Sequence, residues 1–182
     1  QSVPPSPIDP DVQVIVGLGN FDPGRAGTPH NIGYEVVDGL ADSLRLTWCT
    51  TARVSIARGT ASQRTVCLVK VRTSMNRIGP ELKELSRGMA FSPEQCILVH
   101  DDLDLPIGSV RTRMSGGSGG HNGVASILEA FQTDAFRRVK VGVGKPGAKL
   151  NLAEYLLVPF DAQGRAAADL AVASAQTRTV EM

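Results

Sequence analysis

The sequence predicts an α/β sandwich, with strands alternating with helices around a mixed sheet. Three observations carry this. Short runs rich in Val, Ile and Leu recur along the chain, and stretches with helical apolar spacing separate them. Two strand-like runs follow each other with only a turn between, so the sheet is not purely parallel. The 182 residues suit one domain. They are 42% apolar but only 4% aromatic, so the core is expected to be aliphatic.

Residues 12–18 (VQVIVGL) form a short β-branched run, read as a buried strand. A Gly/Asn/Pro-rich loop continues to Pro29. Residues 31–46 place Ile32, Val36, Val37, Leu40 and Leu44 on one helical stripe. Residues 53–58 and 65–71 read as a hairpin turning through residues 59–63. In residues 74–89, Met75, Ile78, Leu82 and Leu85 share a second stripe. Proline is tolerated only in a first turn, so Pro80 starts this helix near Asn76. Ser92-Pro93-Glu94 makes a turn or short cap. Residues 96–100 (CILVH) form a strand running into Asp101-Asp102-Leu103-Asp104. Residues 109–114 alternate as a strand, 115–120 form a glycine-rich loop, 122–131 a helix and 136–143 a strand. Residues 151–158 fit either type. Residues 161–177 are Ala-rich and helical, with Leu170 and Val172 as anchors. Residues 1–11 hold Pro4, Pro5, Pro7 and Pro10 and are expected to be an extended or disordered lead-in to a domain over 12–182. The chain begins at Gln1, so a fragment or a processed end is expected. There are no internal repeats.

Composition narrows the function classes. A net charge of +1 leaves partners open. No apolar run approaches the ~20 residues of a membrane span, and no signal-peptide core is visible. Cys49, Cys67 and Cys96 are odd in number and lack metal-binding spacing, which argues against disulfides and zinc and for a reducing compartment. Arg111, Arg113, Arg137, Arg138, Lys140 and Lys145 gather in the second half, either as a solvated face or as part of a site.

The glycine motifs fail as nucleotide loops. Gly17-Leu18-Gly19-Asn20 follows a strand, but Asp22 stands where a dinucleotide fingerprint needs Gly. Gly142-Val143-Gly144-Lys145-Pro146 lacks the upstream glycine and the Ser or Thr of a phosphate loop. What remains is a set of polar residues at element edges. His30 ends a loop where a helix begins, and by itself reads as helix start, with Thr28 or Asn31 capping. His100-Asp101-Asp102-Leu103-Asp104 closes a strand, where sites of α/β folds assemble. His121-Asn122 follows Gly116-Gly117-Ser118-Gly119-Gly120, and Met75-Asn76 starts a helix. By themselves, Asn122 and Asn76 also read as caps. Asn side chains are neutral donors and acceptors. With one carboxylate cluster, no Ser or Cys nucleophile motif and no metal cluster, the set suits water attack assisted by a histidine base.

These residues fall in six blocks that together resemble bacterial-type peptidyl-tRNA hydrolases. They are residues 14–20 (VIVGLGN), 28–33 (TPHNIG), 73–76 (TSMN), 99–106 (VHDDLDLP), 116–123 (GGSGGHNG) and 138–144 (RVKVGVG). Order and spacing agree from about residue 12 to residue 160. The resemblance implies a single-domain α/β sandwich whose mixed, mostly parallel twisted sheet is flanked by helices. It implies hydrolysis of the ester between peptide and tRNA, which recycles tRNA from stalled translation.

By matching position, the resemblance makes His30 the catalytic base and Asp101 its orienting partner. It makes Asn20 and Asn76 holders of peptide and water, and Asn122 the residue that steadies the water or oxyanion. Met75 becomes a wall of the peptide channel, with His121 and Arg25 as further substrate contacts. Arg111, Arg113, Arg138 and Lys140 become tRNA contacts. No cofactor or metal is implied. The partner implied is peptidyl-tRNA, through its acceptor end and phosphates, with no membrane, for a monomer in the cytoplasm or, after loss of a transit peptide, an organellar matrix. The alternative is a non-catalytic RNA-binding relative of the same fold, such as a splicing factor.

Asp101 is favoured over Asp102 because successive strand residues point to opposite faces. The chain departs from the family at Phe21-Asp22 (usually Pro-Gly), Arg25 (usually Tyr), Pro29 (usually Arg), Ser74 (usually aromatic) and Lys70-Val71 (usually Lys-Pro). These positions surround the substrate channel rather than the acid–base pair.

Overall fold

A computed structural model describes residues 6–147 and 150–182. Seven strands form one sheet in the order β2-β3-β4-β1-β5-β7-β6. They are β1 (Gln13–Gly17), β2 (Cys49–Thr50), β3 (Val54–Ala61), β4 (Arg64–Val71), β5 (Cys96–Asp102), β6 (Val110–Arg113) and β7 (Arg137–Gly142). The central strands β4, β1, β5 and β7 run parallel. Antiparallel pairing occurs towards both edges, in β2-β3-β4 and β7-β6. Among the described residues five α-helices flank the sheet: α1 (Ile32–Ser43), α2 (Ile78–Met89), α3 (Asn122–Phe131), α4 (Leu152–Leu156) and α5 (Ala162–Glu181).

Alternation along the central strands divides the core into two layers. Val14, Val16, Cys67, Val69 and Leu98 pack beneath Ile78 and Leu82 of α2 and Val124 and Ile127 of α3. Ile15, Leu68, Ile97, Val99, Val139 and Val141 pack beneath Val36, Val37 and Leu40 of α1 and the alanines of α5. Cys67 and Cys96 are fully buried among these residues, whereas Cys49 is exposed on β2.

The differences from expectation have local causes. The hairpin turns through Ser62 and Gln63, both at positive φ. Such a two-residue turn matches strand twist, so β3 runs on through Gly59, whose missing side chain makes room for Leu46. The Ala-rich helix is anchored by Ala168, Ala171 and Ala175, not by Leu170, which is 74% exposed. Small residues let α5 sit close to the sheet. Residues 151–158 resolve as α4, capped by the Asn151 side chain on Ala153 N at 2.9 Å. The short edge strand β2 was not expected. Residues 1–5 of the lead-in lie outside the described residues. Its remainder is held to the body, with Ile8 N donating to Met89 O at 2.8 Å and Gln95 Nε2 donating to Asp9 O at 3.1 Å.

Two glycines set the start of α1. A Cβ on Gly33 would lie 2.5 Å from Leu18 O and press on Val99 O; one on Gly17 would lie 2.5 Å from Gly33 O. This close approach brings the residues before α1 over the carboxyl ends of β1 and β5. Gly33→Ala is therefore expected to destabilise the protein by about 1–3 kcal/mol, as overpacking does. It should also displace His30 and lower activity more than the loss of fold accounts for. Urea unfolding alongside turnover checks both.

Candidate active site

The carboxyl ends of the parallel strands carry the chain's three histidines. His30 lies in a short 3-10 turn, Pro29–Asn31, just before α1. Its Nδ1 is 3.0 Å from both Asp101 oxygens. His121 Nε2 lies 2.8 Å from Asp101 Oδ1. The three residues are buried at 8%, 3% and 9% exposure, so solvent screens these bonds weakly. His100 packs edge-on against His121 at 4.8 Å between centroids and donates from Nδ1 to Asp101 O at 2.8 Å.

The wiring fixes tautomers. His121 Nδ1 accepts from Gly123 N at 3.1 Å and Val124 N at 3.2 Å, so its proton is on Nε2, facing Asp101. His30 directs Nδ1–H at the carboxylate, and no described residue bonds to its Nε2. Burial would raise the Asp101 carboxyl, but the imidazoles of His121 and His30 outweigh it and hold it well below the usual carboxylate range. A buried carboxylate orienting a ring whose far nitrogen is free is the arrangement of a general base.

Asp102 points to the other face of β5 and pairs with Lys140 Nζ at 2.5 Å. The pocket beside His30 has a volume of about 60 Å³ and is lined by Asp101, Leu103, Gly119, His121, Asn122 and Leu156, among others. Asn122, exposed, is the first residue of α3, whose positive dipole end favours developing negative charge.

The remaining asparagines are placed differently. Asn20 Oδ1 accepts from Met75 N at 2.8 Å, so the Asn20 amide presents its NH2 group as the spare donor. Met75 is buried, with its sulfur against Gly123. Asn76 is exposed and accepts from Ser74 Oγ at 2.9 Å. Arg25 is engaged within the protein, reaching Leu157 O at 3.3 Å and Asp22 at 3.6 Å.

Sequence reasoning missed two residues. Asn31 brackets Asn20, accepting from its N at 2.8 Å and donating to its O at 3.0 Å. It makes no side-chain cap on α1, and neither does Thr28, whose hydroxyl bonds Arg25 O at 2.8 Å. The cap on α3 is His121 rather than Asn122. His100 had no expected part, and only its adjacency to Asp101 could have marked it.

On β6 and β7, Arg111 stands opposite Lys140 and Arg113 opposite Arg138. Directly opposed residues share a face, so all four side chains leave one side of the sheet, away from Val139 and Val141. Arg111 and Arg113 are exposed. Arg138 is 3% exposed. It donates to Gly117 O at 2.6 Å and to Gly116 O, so its guanidinium holds the glycine-rich loop.

Residues 14–182 match the description of the peptidyl-tRNA hydrolase family. The chain belongs to that family. A peptidyl-tRNA hydrolase of Moorella thermoacetica is 42% identical over 150 residues, covering 82% of this chain and 79% of that protein. One of Aquifex aeolicus is 39% identical over 151 residues, with the same coverage. The crystal structure of the Acinetobacter baumannii peptidyl-tRNA hydrolase superposes with a TM-score of 0.86 at 31% identity, over 93% of this chain and 87% of that one. An Arabidopsis thaliana methylthioadenosine nucleosidase, at 9% identity and a TM-score of 0.53, shares the fold alone.

In this member of the peptidyl-tRNA hydrolases, ligand atoms of His30, Asp101 and His121 lie within 4.8 Å of one another. Two imidazoles and a carboxylate can hold a transition metal. The wiring opposes it: a metal on His121 Nε2 would need that nitrogen bare, which places a proton on Nδ1 against two backbone N–H groups.

His100 makes the fold acid-sensitive. Burial above all, with the His121 imidazole, pushes its pKa from 6.5 down to about 3. Between those values the unfolded chain binds more protons than the folded one, so stability falls as pH falls. One proton contributes at most ~1.4 kcal/mol per pH unit. His100→Gln is expected to flatten the stability–pH slope between pH 6.5 and 4; chemical unfolding across that range measures it.

Proposed function

We propose that the chain cleaves peptidyl-tRNA through water activated by His30. The activity itself follows from family membership: an ester hydrolase that acts on peptidyl-tRNA. The observation that carries the mechanism is the buried Asp101 carboxylate on His30 Nδ1, which leaves Nε2 to take a proton.

In the first step, a water oxygen bonds to the ester carbonyl carbon while His30 Nε2 accepts the proton. The imidazolium is steadied by Asp101, and assistance of this kind is worth about 10²–10⁴-fold. The oxyanion that forms is stabilised by the Asn122 amide and the start of α3, where one donor is worth ~2.7–4 kcal/mol. Asn20, held by Asn31 and Met75, offers its NH2 group to a peptide carbonyl, and Asn76, next in the chain to Met75, holds the peptide or water with it. In the second step, the bond from carbon to ribose oxygen breaks, and His30 returns the proton to that oxygen. An ester is an activated acyl donor, so neither a covalent nucleophile nor a metal is called for.

The exposed pair Arg111 and Arg113 forms the tRNA contact, with Lys140 and the loop held by Arg138 behind it. Phosphate contacts are independent of sequence and suit an enzyme that accepts many tRNAs. The chain is read as a monomer, and three free thiols support a reducing compartment such as cytoplasm or an organellar matrix. Among the described residues no helix is long and apolar enough to cross a membrane.

Purified protein is expected to hydrolyse N-acyl-aminoacyl-tRNA with chelator present, and His30→Ala to lose about 10²–10⁴-fold in kcat while still binding tRNA. Binding without cleavage by the wild type would point to a non-catalytic relative, and a His30→Ala variant at the wild-type rate would remove the base. Arg111→Ala with Arg113→Ala should weaken tRNA binding and lower the slope of log K against log salt by about 0.7–0.9 for each phosphate no longer neutralised. An unchanged slope would remove the pair from the tRNA interface.

A further inference from the structure

His121 is one of two buried imidazoles, with His100, to which the proposed reaction gives no step, and the one that bonds the Asp101 carboxylate. Its ring spans two elements: Nε2 meets Asp101 Oδ1 at 2.8 Å at the end of β5, and Nδ1 caps α3 through Gly123 N and Val124 N. Helix caps are usually Ser, Thr, Asp or Asn, and Asn in this place could serve the helix. Asn is too short to serve Asp101 as well. An imidazole has an acceptor and a donor on opposite edges and does both.

We propose that His121 is a positioning residue for ester hydrolysis, clamping the Asp101 carboxylate through the oxygen that it shares with His30 and tying it to the first turn of α3. The inference rests on the reading of His30 as the base. His121 bonds Asp101 Oδ1 while His30 reaches both oxygens, so two donors fix the rotation of the carboxylate. Asn122, next in the chain, is fixed in the same frame. The ring cannot tilt freely, because His100 packs edge-on against it at 4.8 Å and His30 lies at 5.0 Å. The charged and titratable groups around it are thus Asp101, His30 and His100, with Arg138 beyond His100. This differs from a substrate contact, which would act on KM; a clamp on the carboxylate acts on kcat.

Two variants divide the ring's roles. His121→Asn places an amide oxygen near the position of Nδ1, keeping the cap and deleting the bond to Asp101. His121→Gln places an amide nitrogen near the position of Nε2, keeping that bond and deleting the cap. With N-acyl-aminoacyl-tRNA, His121→Asn is expected to keep the fold, with a lower Tm because Asp101 loses one donor, and to lose about 10- to 100-fold in kcat, the worth of one charge-assisted hydrogen bond, with little change in KM. Its acid limb in the kcat–pH profile should move to higher pH, because the Asp101 charge then acts on His30 alone. His121→Gln should be less stable yet recover at least about 10-fold in kcat over His121→Asn. A loss confined to KM would make His121 a substrate contact. Equal kcat in the two variants, or an unmoved acid limb, would make its role structural only. His30→Ala, run alongside, separates the outcomes: if it turns over normally, the reading of the base fails, whereas normal turnover in His121→Asn alone overturns only the clamp.

Discussion

A carboxylate taken out of water must be matched by donors, and Asp101 is matched by two imidazoles. Removing a charge from solvent costs several kcal/mol unless its lone pairs are met. That cost makes the geometry specific, because His30 and His121 have to arrive from different elements and bond one group. The 3-10 turn before α1 delivers His30, and the loop before α3 delivers His121. Glycine sets both seats: α1 approaches the sheet through Gly33, at Leu18 and Val99, and α3 approaches α2 where Gly79 meets Ser126.

The same constraint explains why the site lies at the carboxyl ends of the parallel strands. Asp101 is the last fully buried residue of β5, and the next residue turns to the opposite face to meet Lys140. A one-residue shift of β5 would exchange the two carboxylates, turning Asp101 away from His30 and towards the face of Lys140. Register, set by the pairing of Gly17 with Val99 on one side and of Asp101 with Val141 on the other, therefore acts directly on the chemistry. The basic edge obeys the same rule. Arg111 and Arg113 share a face because they are two apart on β6, and pairing with β7 puts Lys140 and Arg138 on that face too.

Much of this was legible in the chain. Apolar runs and stripes marked the main strands and helices, since each must bury one face. The alternation rule separated Asp101 from Asp102. Other features depend on tertiary partners and leave little local trace. Leu170 looked like an anchor and lies outside, because helix spacing shows a stripe but not which small residues let a helix approach a sheet. Arg138, read from the sequence as a tRNA contact, holds two loop carbonyls, which no local pattern shows. Asn31 looked like a cap, but its amide pairs with the backbone of Asn20, 11 residues earlier. His121 capping a helix through its ring could not be read from a sequence whose next residue, Asn122, is the more usual cap.

The central claim is that Asp101 dictates which nitrogen of His30 is free. With only three histidines in the chain, long-range ¹⁵N–¹H correlation of the imidazoles at neutral pH tests it most directly. The account predicts two rings protonated on Nδ1, His30 and His100, and one protonated on Nε2, His121. A His30 ring carrying its proton on Nε2, with Nδ1 bare against the carboxylate, would contradict it.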